Sequence, residues 1–278
     1  MDYNCCDHTD MKLLPLYASL IISLLLGSGW AIDNQVKFDS HGLQSTIEGI
    51  EQTEVLPQDI VQEMIDQVSQ ERVLTDLRRL TGVEPICIDG NCYTITGRNT
   101  GSTGLQWAKD YVYNELVSAH YSVEVQNWSR EGHEDQNLIV RKQGIRILNE
   151  EIYFIAHLDG NLDNNPAADD DASGAVSLLE LARILSGRYL SRTVVLIFST
   201  GEERGALGAR SYIDQLTTDE LNAIKYVVSV EMLGFDSNDD GKMQLWSGDQ
   251  PTDFVLLLSN IINGYQLGLI PQIVEGCG

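Results

Sequence analysis

Three short apolar runs in the second half of the chain predict buried β-strands. They are nearly continuous, rich in β-branched and aromatic residues, and span residues 151–157, 193–200 and 225–233. Such runs are typical of strands that are covered on both faces of a sheet. An apolar helical pattern over residues 173–187 lies between the first two runs and ends at Gly187. Strand, helix and strand in this order predict a parallel α/β sheet with right-handed crossovers.

Two amphipathic helices are predicted ahead of these strands. Apolar residues recur at helical spacing from Ser69 to Leu80, and again from Leu105 to about Ser118. The preceding residues 32–68 are polar, acidic and weakly periodic, which favours a pro-segment or a loosely attached N-terminal arm. We therefore expect the globular domain to begin at residue 69 and to occupy residues 69–278.

The N-terminal residues 1–31 carry the pattern of a secretory signal peptide. Lys12 precedes an apolar stretch from Leu13 to Leu26, and small residues follow up to Ala31. Because the ten residues before Met11 are acidic, we expect synthesis to start at Met11 and cleavage to follow Ala31. The alternative is a retained membrane anchor, since the stretch is only slightly short for a spanning helix. Cleavage predicts a secreted or periplasmic protein without stable membrane association.

The cysteines are consistent with an oxidising compartment. Cys87 and Cys92 enclose four residues that include Asp-Gly, a turn former, so a local disulfide between them is predicted. Cys277 is then left without an obvious partner in an exported chain.

Composition narrows the classes of partner. The hydrophobic content of 43% is enough for a sizeable core, and 41 acidic against 18 basic residues give a formal net charge of −23. A surface this acidic repels polyanions and offers no basic patch for phosphate contacts. Nucleic acid is therefore excluded as an expected partner.

Acidic residues and a histidine follow the predicted strands. His157 ends the first strand, residues 169–171 are three aspartates before the next helix, the second strand runs into Glu202 and Glu203, and the third ends near Glu231. The carboxyl ends of such strands meet at one rim, where ligands bind. Carboxylates crowded there either raise one another's pKa or require a cation, and a divalent metal is the simplest explanation. One imidazole with carboxylates and no thiolate suits zinc, with manganese or cobalt as substitutes. Calcium sites, helix caps and solvated turns are alternative explanations for an Asp-rich loop.

Three blocks together resemble the signature of the co-catalytic dizinc exopeptidases, of the secreted bacterial leucyl aminopeptidase type. They are HLD at 157–159, ADDDASG at 168–174, and GEE at 201–203 followed by Gly205 and Gly208. The resemblance covers about residues 70–278. It implies a zinc exopeptidase-like α/β/α fold, in which a mostly parallel mixed sheet is flanked by helices on both faces.

The resemblance also implies a ligand set for two zinc ions. Asp170, the middle aspartate, would be the carboxylate that bridges them. His157 and Glu231 would complete one zinc site, and Glu203 would serve the other. The family more often has Asp at the position of Glu231 and Gly at the position of Ala167.

The family's reaction supplies the remaining roles. Glu202 would be the general base that takes a proton from the attacking water and passes it to the leaving amine. Asp159 would fix the imidazole of His157 through a hydrogen bond. The expected activity is removal of the N-terminal residue from peptides by a monomeric enzyme. Two alternatives are a glutaminyl-peptide cyclotransferase, which uses one zinc and not the first histidine, and a non-catalytic binding module, which would have lost ligands.

The C-terminal residues give a further expectation. The last residues, IVEGCG, resemble a family segment that is followed by a second cysteine and, later, by a final zinc-binding histidine. Residues 157–278 contain no histidine other than His157. The resemblance therefore implies that the chain is truncated at its C-terminus. Such a truncated homologue is expected to have little or no activity.

Overall fold

The computed structural model describes residues 57–161, 164–248 and 253–276. The predicted signal peptide, residues 32–56 of the predicted arm, and Cys277 lie outside these residues. The described helices and strands, in chain order, are α1 Pro57–Asp66, α2 Gln70–Leu80, β1 Ile86–Ile88, β2 Asn91–Tyr93, α3 Thr103–Ser118, β3 Glu124–Arg130, β4 His133–Lys142, β5 Gly144–His157, α4 Gly174–Ser186, β6 Leu190–Ser199, α5 Leu207–Gln215, α6 Thr218–Ala223, β7 Ile224–Ser229, β8 Lys242–Ser247, α7 Asp253–Gly264 and β9 Ile270–Glu275.

A five-stranded mixed sheet forms the centre of the fold, in the order β3-β4-β6-β5-β7. Strand β5 runs parallel to both β6 and β7, whereas β3 and β4, and β4 and β6, are antiparallel. His157 pairs with Ser199, and Ile155 pairs with Ser229, so the three parallel strands end at one edge. The predicted mixed α/β/α sheet is confirmed, but it is not mostly parallel: two of its four strand pairings are parallel and two are antiparallel, because β3 and β4 form a hairpin beside the parallel strands. Strands β8 and β9 form a separate parallel pair.

Alternate side chains of the central strands bury two apolar layers. Phe154 and Phe198 point to the layer that helices α1 to α4 and α7 cover, while Tyr153 and Ile197 point to the opposite layer with Tyr212 of α5. This alternation follows from the period of two in a β-strand. Because both faces are covered, β5 and β6 read as continuous apolar runs in the sequence.

Strand β7 departs from its prediction. Its side chains alternate between half-buried and exposed positions, and Val227 is 61% exposed, so the prediction of a strand buried on both faces is wrong here. Within the described sheet, β7 is the edge strand beside β5. It also ends at Ser229 rather than at residue 233, because the backbone N–H groups of residues 232–234 bind side chains of the 169–173 segment instead of a neighbouring strand.

The predicted arm is partly incorporated into the core. Helix α1 lies within residues 32–68, yet Ile60, Val61 and Met64 are buried in the same apolar layer as α2 and α4. The prediction of a loosely attached arm is therefore wrong for residues 57–66. The weak periodicity of the whole segment concealed one short amphipathic helix.

The other predicted helices occur close to their expected positions. Ser69 caps α2 by accepting a hydrogen bond from the backbone N–H of Arg72, and Ser102 caps α3 in the same way through Leu105. Within the residues that the structure describes, no helix combines the length and hydrophobicity needed to span a membrane.

The predicted disulfide between Cys87 and Cys92 is present and joins the hairpin of β1 and β2. A short closed loop restricts the unfolded chain only modestly, so replacing both cysteines with serine should lower the free energy of unfolding by about 2 kcal/mol. Chemical denaturation of the double variant against the oxidised protein measures this difference. An unchanged denaturation midpoint would show that the hairpin contributes nothing to global stability.

A network of buried ion pairs fastens α4 to α2 and α3. The Arg183 guanidinium lies 2.7 Å from Asp76 Oδ2 and 2.7 Å from Glu115 Oε2, and the fully buried Glu180 pairs with Arg72 at 2.6 Å. Removing one member of such a network leaves an uncompensated buried charge. We expect Arg183→Met to destabilise the fold by about 3 kcal/mol, measured by thermal unfolding. A loss of stability smaller than that caused by an Arg→Met substitution at a solvent-exposed position would contradict this role.

Candidate metal and catalytic site

The candidate site lies at the edge where the parallel strands end. His157 is the last residue of β5, and Glu202 and Glu203 form a short turn, Glu202–Arg204, just after β6. An irregular turn, Ala168–Ser173, leads into α4 from the loop after β5. The rim is therefore assembled by the ends of strands that the apolar runs predicted.

The His157 imidazole has a fixed orientation. The residue is 2% exposed, and its Nδ1 lies 2.9 Å from the backbone carbonyl oxygen of Asp159. Because a carbonyl only accepts hydrogen bonds, Nδ1 carries the proton. Nε2 faces the rim, 3.0 Å from Asp170 Oδ1 and 3.8 Å from Glu202 Oε2. A histidine held in this way presents its other nitrogen to a metal ion or a proton.

Asp159 acts differently from its prediction. Its carboxylate was expected to bind the imidazole, but Oδ1 lies 3.7 Å from His157 Nδ1, which is too long for a hydrogen bond. The carboxylate instead accepts hydrogen bonds from the backbone N–H groups of Glu202, at 3.1 Å, and Glu203, at 3.2 Å, and from the hydroxyl of Thr100. The fully buried Asp159 therefore orients His157 through its main chain and the Glu202–Arg204 turn through its side chain.

Gly201 makes the turn after β6 possible. Its φ is +73°, and a Cβ atom there would lie 2.7 Å from the ring of Trp128. Only glycine fits such a close approach at a positive φ without strain. The chain consequently turns sharply after Thr200, and both glutamates leave the sheet edge at the rim.

The three consecutive aspartates have separate roles. Asp169 accepts a hydrogen bond from the backbone N–H of Gly234 at 2.7 Å, and the fully buried Asp171 accepts from the N–H groups of His157, Gly174 and Met232. The side chain of Asp170 is 51% exposed and contacts His157. Asp170, the middle residue that the family resemblance selected, is thus the aspartate that faces the rim.

Glu231 and Glu203 are placed near this rim without contacting His157. Glu231 is exposed and accepts a hydrogen bond from the Ser229 hydroxyl at 2.8 Å. Across the described part of the chain, no group of three or more His, Cys, Asp or Glu side chains has the geometry to hold a metal ion. The structure therefore brings together His157, Asp170 and Glu202, and leaves the two other predicted ligands outside that contact.

The rim has a strongly negative potential. Burial lowers the pKa of His157, but Asp159 and the charges of Asp171 and Glu202 outweigh this effect and raise that pKa to about 10. Burial, together with neighbouring carboxylates, also raises the pKa of Glu202 and of Glu203. Carboxylates perturbed in this way are characteristic of functional sites. The potential favours a cation at the rim.

The donor set fits zinc. An imidazole nitrogen with its partner Nδ1–H bound to a carbonyl, beside a half-exposed carboxylate, is the nitrogen and oxygen combination that zinc binds. Calcium takes oxygen ligands, so the inward-facing histidine argues against the calcium alternative. His157 and Asp170 are the residues in position to hold the ion.

The sequence pattern did not predict one buried residue near the site. Arg98 is 0% exposed, and it lies between Gly97 and Asn99 just before α3. The signal available in the sequence was an arginine inside a glycine-rich segment that precedes a predicted helix. Nothing in the spacing showed that its side chain would reach the loops of the rim.

Comparisons with known proteins place these residues in context. The family model described as Peptidase family M28 matches residues 137–261. A probable zinc metalloprotease of Pyrenophora teres f. teres is 23% identical over 214 residues, which cover 70% of this chain and 43% of that protein. Aminopeptidase YwaD of Bacillus subtilis is 32% identical over 100 residues, which cover 36% of this chain and 22% of that protein. The chain thus spans less than half the length of these relatives.

Solved structures share the fold. The Legionella pneumophila LapA aminopeptidase superposes with a TM-score of 0.64 at 19% identity, covering 88% of this chain and 64% of that one. A glutaminyl cyclase of Macrostomum lignano superposes with a TM-score of 0.58 at 13% identity, covering 85% of this chain and 78% of that one. The same fold therefore occurs with two different activities, and the side chains at the rim must distinguish them.

Proposed function

We propose that the chain, whose residues 137–261 match the model of peptidase family M28, is a zinc-dependent aminopeptidase that hydrolyses the N-terminal residue of peptides. The observation that carries this proposal is the contact between His157 Nε2 and Asp170 Oδ1, with Glu202 beside it at the carboxyl ends of the parallel strands. An imidazole and a carboxylate supply zinc ligands, and the adjacent free glutamate can handle protons.

We assign the ligands of two zinc ions to four residues. Asp170 would bridge the ions, His157 and Glu231 would hold one, and Glu203 would hold the other. When bound, zinc polarises the scissile carbonyl group and lowers the pKa of the attacking water. Glu231 has the freedom to turn toward the rim, because it is exposed and is fastened only through the Ser229 hydroxyl among the contacts that the structure describes.

Glu202 is the proposed general base. Asp159 holds its backbone N–H, so its position is fixed while its carboxylate, 40% exposed, remains open to the rim. Burial and the charges of Glu231, Asp159 and Asp170 raise its pKa, although His157 opposes them, and a raised pKa makes a carboxylate a stronger base. Glu202 takes a proton from the attacking water and delivers it to the leaving amine.

The engagement of His157 favours a peptidase over a cyclotransferase. The family resemblance implies that a glutaminyl-peptide cyclotransferase would not use the histidine after the first of these strands as a zinc ligand, whereas His157 Nε2 here contacts Asp170 directly. A cyclotransferase would leave this imidazole without a metal role. The contact with Asp170 supports such a role for His157.

A substrate panel tests the proposal. The full-length protein, loaded with zinc, is assayed on aminoacyl 4-nitroanilides and on a peptide that begins with glutamine. We expect hydrolysis of the leucyl anilide, loss of that hydrolysis with a chelator, and its recovery on adding zinc. Conversion of the glutaminyl peptide to its pyroglutamyl form, without release of nitroaniline, would instead establish the cyclotransferase. Turnover of neither substrate would contradict both activities and would favour the remaining alternative, an inactive homologue.

We further propose that the protein is exported and acts as a monomer on extracellular or periplasmic peptides. The support is the charge and hydrophobicity pattern of residues 12–31. Sequencing of the mature N-terminus should find Ile32 first. A mature chain that retains Leu13 to Leu26 would favour the membrane anchor.

A further inference from the structure

A buried guanidinium lies behind the candidate site. Arg98 donates hydrogen bonds to four backbone carbonyl groups: Nε to Leu158 at 2.7 Å, Nη1 to Leu80 and to Pro166, each at 2.7 Å, and Nη2 to Ala167 at 2.9 Å. Within the described residues, no carboxylate lies within ion-pair distance of it. A planar guanidinium with five fixed donors suits such a cluster of carbonyl groups, and a flexible ammonium does not.

The four carbonyl groups belong to the segments that carry the site. Leu158 lies between His157 and Asp159, and Pro166 and Ala167 lead directly into the aspartate turn. The main chain of Arg98 adds a further contact, because its carbonyl accepts a hydrogen bond from the N–H of Gly160 at 3.0 Å. One residue therefore joins the loop after β5 at both of its ends, and anchors it to the end of α2.

Ala167 shows why this loop needs an anchor. Its φ of +47° lies in the left-handed region, which costs a residue with a Cβ about 1 kcal/mol or more. Its carbonyl group accepts hydrogen bonds from both Arg98 and the N–H of Ala172. A conformation of this kind persists only where its surroundings enforce it. Arg98 supplies one of the contacts that do so, beside Ala172 and the side chain of Asn165, which accepts a hydrogen bond from the N–H of Ala167.

The charge of Arg98 also complements the site. Burial lowers its pKa to about 10, while the charges of Asp171, Asp159 and Asp170 act in the opposite direction, so the guanidinium stays charged at neutral pH. A buried cation behind the carboxylates reduces their mutual repulsion.

We propose that Arg98 is a positioning residue, which holds His157 and Asp170 in register by binding the carbonyl groups of the loop between them. The effect on zinc affinity rests on the proposed function, whereas the ordering of the loop does not. Arg98 touches neither substrate nor the reacting atoms. Its role is exerted entirely through the backbone on either side of the rim.

Three variants separate positioning from general stability. Arg98→Met removes the charge and all hydrogen-bond donors but keeps a side chain of similar length. Arg98→Lys keeps the charge but loses the planar guanidinium with its five fixed donors. Arg183→Met is the matched control, because it breaks the ion pairs of α4 with Asp76 and Glu115 and removes no hydrogen bond to these carbonyl groups. Each is studied well below its unfolding temperature. The readouts are the zinc dissociation constant by chelator competition, and amide hydrogen exchange of residues 158–173 in the metal-free protein.

We expect Arg98→Met to weaken zinc binding by about 10- to 100-fold and to accelerate exchange in residues 158–173, with a smaller effect of the same kind for Arg98→Lys. Arg183→Met should unfold at a lower temperature with both readouts unchanged. Wild-type-like exchange and zinc affinity in Arg98→Lys and Arg98→Met, or equal changes in Arg183→Met, would overturn the proposal. If Arg98→Met does not fold, the zinc affinity and the amide exchange of Arg98→Lys test the proposal instead. Should the wild-type protein bind no zinc, the proposed function fails and the exchange measurement alone decides the role of Arg98.

Discussion

Glu202→Gln is expected to retain bound zinc while kcat falls by a factor of about 10² to 10⁴. Glutamine preserves the size of the side chain and the backbone N–H that Asp159 binds, so the turn should stay in place. It cannot accept the proton of the attacking water, so the proton transfer is lost and the ligands remain. The measurement combines steady-state hydrolysis of the leucyl anilide with the zinc content of the purified variant.

The matched control for this variant is Glu124→Gln, an exposed position on the edge strand β3. It removes the same charge from the protein and should leave kcat unchanged. If Glu202→Gln lost its zinc instead, Glu202 would be a ligand, and the division of roles between Glu202 and Glu203 would be wrong.

Asp170→Ala is expected to abolish both zinc binding and hydrolysis. A bridging carboxylate serves two ions at once, and its loss also leaves His157 Nε2 without its direct carboxylate partner. The affinity should therefore fall by more than the roughly 100-fold that the loss of an outer contact costs. Equilibrium dialysis against buffered zinc measures the number of ions and their affinity.

Asp219→Ala controls for the loss of one acidic charge, because Asp219 is exposed on α6. This variant should bind zinc as the wild-type protein does. Retention of two equivalents of zinc by Asp170→Ala would reject the bridge, and retention of one would restrict Asp170 to a single site.

The central strands and the rim could be predicted from the sequence for one physical reason. Strands covered on both faces must be apolar along their length, so polar residues such as His157 and Glu202 mark their ends clearly. Parallel strands then place those ends at the same edge. The prediction of the edge strand β7 was less accurate. Its residues alternate between half-buried and exposed positions, and its end is set by hydrogen bonds to Asp169, Asp171 and Ser173.

Contacts between distant segments were beyond the reach of the sequence. The carboxylate of Asp159 binds a turn more than forty residues away, whereas its neighbour in sequence, His157, is bound by its backbone carbonyl. A residue pattern predicts neither of these two hydrogen-bonding arrangements. The same holds for Arg98, whose four acceptors are all main-chain atoms and therefore carry no sequence signal.

The placement of α1 illustrates a different difficulty. A short helix whose described buried side chains are Ile60, Val61 and Met64 contributes little periodic signal within a long acidic segment. Its helicity depends on packing against the core, and isolated helices of this length are marginal. The residue pattern of this segment therefore predicted an arm, whereas packing against the core stabilises a helix.

The location of zinc is the most direct test of the account. A crystal of the zinc-loaded protein, measured at the zinc absorption edge, should show anomalous density at the rim, within about 2.0–2.2 Å of both His157 Nε2 and a carboxylate oxygen of Asp170. Glu202 should be adjacent to that density but outside bonding distance. Zinc bound elsewhere on the chain, with His157 and Asp170 still in contact with each other, would contradict the account.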